Sequence, residues 1–242
     1  PQYYKLKFSA TIHKNFKERS SITRKSLTIG LIILGVGFLI YLIDKNIAPT
    51  NQLNELTFWI FILAFIPIGF AYVFQFFDYE NIEILHKGNL DIGEKSFTLN
   101  YKEEILFSDI EDLRIIIDAY YNERINIVYR TPTEQKSLGL KNQIKIKTNR
   151  DNKEFYFKLE NKYHKNRLEE VLFEIITTKK LENLDAKKSI KLIPQRFKNS
   201  DNYKNYVIDQ IVKKRIDCTE GLLLHGYRTD KEAKELREKY CG

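Results

Sequence analysis

The chain contains no methionine, one tryptophan and only two cysteines, Cys218 and Cys241. Two cysteines exclude a disulfide-rich scaffold and a four-cysteine zinc site. Ten glycines and five prolines exclude collagen-like and low-complexity classes. The four histidines, His13, His86, His164 and His225, lie far apart. No G-x-x-x-x-G-K-[ST], G-x-G-x-x-G, H-E-x-x-H or G-x-S-x-G motif occurs, so phosphate loops, zincin helices and nucleophile elbows are missing. The spacing of Cys218, His225 and Cys241 matches no usual zinc pattern, and Cys218 reads as a small, reduced packing residue. Adjacent carboxylates such as Glu103-Glu104 and Glu111-Asp112 make poor acid–base pairs, because strand neighbours point to opposite faces. The chain therefore reads as a non-enzyme with no cofactor and no metal. The absent initiator is expected from its removal ahead of Pro1, and richness in Lys, Asn and Ile points to an AT-rich bacterial genome.

What is present is unevenly spread over the 242 residues. Mean hydropathy is -0.40, the value of an ordinary soluble protein. Yet residues 26–43 and 56–77 contain no charge at all. Each run approaches or exceeds the roughly 20 apolar residues a spanning helix needs. The link between them is short and contains Pro49, so the pair predicts a transmembrane helical hairpin over 26–78. Lys5, Lys7, Lys14, Lys17, Arg19, Arg24 and Lys25 precede it, whereas the link holds only Lys45. That bias predicts both termini in the cytoplasm of a bacterial inner membrane. No charged residue lies in either span, which suits an anchor better than a conduction path. Gly30, Gly35, Gly37, Ala64 and Gly69 are candidates for close helix packing, within the hairpin or between copies. Lys14, Lys17, Arg19, Arg24 and Lys25 are candidates for anionic lipid headgroups, each adding about 1 kcal/mol.

Residues 1–25 form a basic arm whose alternation of Leu6, Phe8, Ala10 and Ile12 predicts a strand, able to pair with an edge of the body. Residues 79–180 alternate apolar and polar positions in short runs. Turns are predicted at Lys87-Gly88-Asn89, Ile92-Gly93-Glu94 and Asn100-Tyr101-Lys102. Further strands are expected over 114–120 and 125–129, and a hairpin over 143–159 with one basic face. Leu168, Val171, Leu172, Ile175 and Ile176 then mark a helix over about 161–179. Six or seven short antiparallel strands closed by one amphipathic helix are thus expected. That order, after a two-helix hairpin, resembles the bacterial membrane-anchored PH-like (pleckstrin-homology-like) family. The likeness rests on FTLNYKEEILFSDIEDLRI, residues 97–115, where Ser108-Asp109-Ile110 sits at the family's turn before its next strand. The resemblance implies an α+β membrane protein with a PH-like antiparallel split barrel and a scaffolding role, and it brings no catalytic residue.

Residues 181–199 read as a linker and 200–242 as a helical mini-domain. Thr229 and Glu232 form a capping box for the last helix. The apolar turn Leu222-Leu223-Leu224 with Tyr227 is the candidate partner-binding element. Expected partners are membrane lipids and other proteins of a membrane assembly, or further copies of the chain. Nucleic acid is disfavoured, because the acidic stretch from Glu103 to Asp112 neighbours the basic hairpin and no RNA-binding aromatic signature accompanies it. The first functional expectation is a non-enzymatic membrane scaffold. The second is a membrane-disrupting effector, as in phage defence, whose cytoplasmic domain senses a ligand or partner.

Overall fold

The structure is a computed structural model in which residues 7–46, 51–125 and 131–241 are described. Expected strand positions 126–129 and the arm residues before Lys7 lie outside the described residues. The chain divides into two compact units: Pro1–Asn15, His86–Asp118 and Lys141–Gly242 form one, and Phe16–Leu85 and Ala119–Leu140 the other.

Seven strands make one sheet: β1 (Phe8–Arg19), β2 (Asn81–Ile92), β3 (Ser96–Leu99), β4 (Glu103–Leu106), β5 (Ile110–Ile116), β6 (Asn142–Thr148) and β7 (Asn152–Phe157). Their order is β4-β3-β2-β1-β7-β6-β5. The sheet is open, with β4 and β5 at its edges. The basic arm therefore supplies a central strand, not an addition to an edge. Ile12 lies opposite Phe157 and His13 opposite Tyr156, both in antiparallel register.

In β2 the turn expected at Lys87-Gly88-Asn89 does not form. The strand runs on through it, and His86, at φ 57°, absorbs the irregularity. Gly88 is there for close approach: a Cβ would lie 2.2 Å from the Asn100 side-chain oxygen. That oxygen accepts from the Asn89 amide at 3.0 Å, and Asn100 and Tyr101 make the β3–β4 turn at positive φ. β5 follows a single 3-10 turn over Phe107–Asp109 and starts at Ile110, earlier than the β-branched run suggests.

Helix α3 (Lys162–Thr177) starts where Asn161 accepts from the His164 amide at 2.8 Å. Its residues Leu168, Val171, Leu172, Ile175 and Ile176 are all buried. Each contributes roughly 1.5–3 kcal/mol of transfer free energy as an upper bound. The His164 ring stacks on Phe8 at 4.6 Å and bonds the Ser9 carbonyl, which ties α3 to β1.

The expected linker is folded. It contains α4 (Ala186–Leu192), capped by Asp185, and Leu181, Leu184, Ile190 and Ile193 are buried. Helix α5 (Asp201–Val212) buries Tyr203, Tyr206, Val207 and Ile211, whereas Val212 faces out. The apolar turn expected at Leu222-Leu223-Leu224 is instead part of a helix, α6 (Cys218–His225), capped by Asp217. Gly221 fits because α5 comes close, leaving 2.3 Å from a would-be Cβ to Ile211. Helix α7 (Asp230–Tyr240) begins at the expected Thr229 cap.

The second unit is dominated by α1 (Ile22–Asn46) and α2 (Asn51–Phe74). α1 starts before the uncharged run, so Arg24 and Lys25 belong to its first turn. At 1.5 Å per residue either helix exceeds the roughly 30 Å of a bilayer core. Gly30 approaches Ala64 and Ile68, while Gly37 approaches Ile60 and Phe61, so the two helices run antiparallel.

Candidate functional site

Four parts of the molecule have the chemistry to bind something. The first is the outer surface of the helix pair. Leu31, Ile32, Leu39, Phe58, Phe65, Ile66 and Val73 are exposed and form a contiguous apolar surface of the kind that marks a membrane or protein contact. Both helices are long and apolar enough to cross a membrane. Of the candidate packing residues, the structure brings Gly30, Gly37 and Ala64 into the seam, where Ala71 is also fully buried. It does not bring Gly35 or Gly69 there: a Cβ on either meets nothing within 4 Å.

The second part is a polar girdle at the base of this helix pair, which sequence reasoning does not reveal. Thr23 near the start of α1 donates its amide to Asp78 at 2.7 Å. Arg24 donates to both carboxylate oxygens of Glu134, at 2.9 and 2.6 Å, and the Ser21 hydroxyl adds a 2.9 Å bond to the same group. Glu80 accepts from the Ser137 hydroxyl and the Leu138 amide. Gln135 donates its amide to the Gln75 carbonyl at 3.2 Å. Asp78, Glu80, Glu134, Gln75 and Gln135 are buried. Burial of so many polar groups is tolerable only because they satisfy one another.

This girdle changes the reading of the basic arm. Arg24 is committed to Glu134, and Arg19 is paired with Glu83. Lys14, Lys17 and Lys25 are exposed and have no ion pair among the described residues. Those three remain available to an anionic surface; the two arginines do not in this arrangement. The basic face of the β6–β7 hairpin is likewise compensated. Lys145 pairs with Glu154, Lys147 with Glu111, and Lys158 with Glu160. Lys153 bonds Glu103 at 2.5 Å and Asp151 at 3.1 Å. The bond to Glu103 raises the Lys153 pKa, and the bond from Lys153 lowers that of Asp151.

The third part is a cleft of about 730 Å³ among β1, β2, the β3–β4 turn and the β6–β7 turn. Its size suits a small ligand. Its acids, Glu103, Asp151 and Glu154, already have lysine partners. Lys14 and Lys87 project there without ion pairs among the described residues, near His13 and His86. Among the described residues no group of three or more His, Cys, Asp or Glu could hold a metal.

The fourth part is the tail. Leu222 is buried, Leu223 is 64% exposed and Leu224 is half-buried, while Tyr227 is 39% exposed. The candidate partner residues thus split by helical geometry: Leu222 belongs to the core, and Leu223 with Tyr227 lines a surface groove against α7. Tyr203 donates its hydroxyl to the Leu224 carbonyl at 3.0 Å, and burial raises its pKa. Burial also raises that of Tyr206, whose hydroxyl bonds Ser189. Contrary to the expectation of reduced cysteines, Cys218 and Cys241 are joined in a disulfide. The physical reason is the fold-back at Gly226, which returns α7 alongside α6; a separation of 23 residues conceals this in the sequence.

The chain matches no family model, no curated protein and no solved structure with which it was compared.

Proposed function

We propose that this protein is a non-enzymatic scaffold or partner-binding subunit of a membrane assembly, anchored in the bacterial inner membrane. The observation that carries this is the position of α1 and α2. They form an apolar antiparallel pair inserted in the chain between β1 and β2, which are neighbours in the sheet. A helix pair so exposed is stable in lipid, where its apolar surface needs no other cover.

The Lys/Arg excess ahead of α1 supports an orientation with both termini in the cytoplasm. Six strands after the helix pair, β2 to β7, followed by an amphipathic helix, are the order of parts that supports the PH-like reading, although β1 joins the same sheet from ahead of the pair. Binding would use the polar cleft, the edge strand β4, and the exposed Leu223 and Tyr227. Lys17 and Lys25 would face lipid headgroups. A tagged chain, purified from native membranes in mild detergent, is expected to bring down a fixed stoichiometric partner. Loss of that partner on deletion of residues 200–242 would place the contact in the tail. Recovery of large homo-oligomers alone would overturn the scaffold.

That second outcome is what a membrane-disrupting effector would give. The observation favouring it is the outward Gly35 on α1, open to another helix.

A further inference from the structure

The disulfide lies at an instructive place. Cys218 opens α6 and Cys241 follows the last residue of α7, with their Cα atoms 5.8 Å apart. They are the chain's two cysteines. Helix α7 contributes no buried residue. Besides the disulfide, it is held by a 3.1 Å bond from Arg237 to the Thr219 hydroxyl, by a shallow groove of about 280 Å³ shared with Leu222, Leu223 and Tyr227, and by a brief approach to α5. Such weak docking makes the covalent bond the main constraint on α7. Both cysteines are partly exposed, so an exchanging thiol can reach them.

With the orientation proposed above, on which this step rests, the tail lies in the cytoplasm. Dithiol reductants there keep exposed disulfides from persisting. We propose that Cys218–Cys241 is a thiol–disulfide exchange site served by a cytoplasmic dithiol reductant, and that the bond is a reversible latch holding α7 against α6.

The chemistry balances without further reactants. A reductant thiolate attacks one sulfur of the pair, forming a mixed disulfide and releasing the other cysteine as a thiolate that takes a proton. The reductant's second thiol then breaks the mixed disulfide. It leaves as an oxidised disulfide and frees the remaining cysteine. Two electrons and two protons pass to Cys218 and Cys241. A small disulfide oxidant runs the sequence in reverse.

The test has two arms. In living cells, acid quenching followed by alkylation with a mass-tagged maleimide reads the redox state. Both cysteines are expected to be labelled in unstressed cells, protected after diamide, and labelled again on recovery. A pair that stays oxidised throughout, or stays reduced under diamide, overturns the latch. If it stays oxidised, a periplasm-active reporter fused after Gly242 separates the causes. An active reporter overturns the orientation, and a silent one overturns the latch alone.

In the second arm, the full chain in detergent is compared by amide hydrogen exchange before and after reduction. Closing a loop of this length constrains opening on the order of a hundredfold, so α7 amides should exchange faster by about that factor once reduced. The double variant Cys218→Ser, Cys241→Ser should show the fast exchange without reductant. Equal α7 protection in the oxidised, reduced and double-serine forms overturns the proposal.

Discussion

Arg24 and Glu134, 110 residues apart in sequence, share two hydrogen bonds of 2.9 and 2.6 Å at the base of the α1–α2 pair. The geometry is the bidentate fork that guanidinium and carboxylate favour. The Glu134 side chain is 11% exposed and that of Arg24 is 51%, so solvent screens the arginine but not its acceptor. Removing the acceptor should therefore cost more than removing the donor's charge alone. Glu134→Ala leaves Ser21 and Arg24 without their shared oxygen and is expected to destabilise the second unit by about 1–3 kcal/mol. Arg24→Lys, which cannot make the fork, should cost less. Protease cleavage of residues 131–139 in the detergent-solubilised chain measures both, and equal resistance of Glu134→Ala and wild type would refute the girdle.

The glycines of α1 provide a sharper separation. A side chain at Gly37 would meet Ile60 at 2.9 Å, and one at Gly30 would meet Ile68 at 2.5 Å, whereas Gly35 faces open space. Gly37→Leu must push the two helices apart and is expected to lower disulfide cross-linking between cysteines introduced on α1 and α2. Gly35→Leu should leave that cross-linking unchanged. A scaffold should tolerate Gly35→Leu with its copurifying partner intact. An effector that clusters through this face should lose its oligomers and its toxicity with the same change.

Local periodicity and capping make several elements legible in the sequence. Asn161 and Thr229 mark real helix starts, and the β6–β7 hairpin is where its alternation places it. The apolar helices are legible from two uncharged runs. What stays hidden depends on distant partners. β1 reads as an arm because its partner Phe157 is remote in sequence from Ile12. The segment that supplies Glu134 and Ser137 has no periodicity, since its value lies in hydrogen bonds to Arg24 and Glu80. α4 is masked because its buried residues are few and interrupted by lysines. Leu222 and Leu223 look alike in sequence, and only the helical path of the segment sends one inward and the other out. Gly88 has the sequence context of a turn, yet its missing side chain serves a neighbour.

That last point is testable by compensation. In Gly88→Ala the new methyl would lie 2.2 Å from the Asn100 oxygen and 3.3 Å from Ile12. Asn100 must then release the Asn89 amide, so the expected cost is about 1–3 kcal/mol. Asn100 has φ 52°, which glycine adopts freely, so Asn100→Gly removes the clash without straining the turn. The double variant Gly88→Ala, Asn100→Gly should be more stable than Gly88→Ala alone in thermal unfolding. If the second change adds to the loss, the contact is not what excludes a side chain at position 88.

A pH dependence follows from Asp209 on α5. Burial pushes its carboxyl pKa up, but hydrogen bonds from Lys179 and Lys213 outweigh that and hold it below its ordinary 3.8. Lys179, just beyond α3, bonds Asp209 at 2.9 Å, and its own pKa is raised chiefly by that bond. The sign for Asp209 is that of a depressed acid: its contribution is complete above pH 3.8 and is lost as pH falls through the lower folded value. The sign for Lys179 is the reverse. Its contribution is complete below 10.5 and is lost as pH rises through the higher folded value. Between those limits the α3–α5 tie should be insensitive to pH. Hydrogen exchange of α5 amides, corrected for intrinsic rates, should therefore be flat across neutral pH and rise in acid. In Asp209→Asn the contribution to that acid rise from this group should vanish, with α5 less protected at neutral pH. An unchanged acid profile in Asp209→Asn would show that another group governs the loosening of α5.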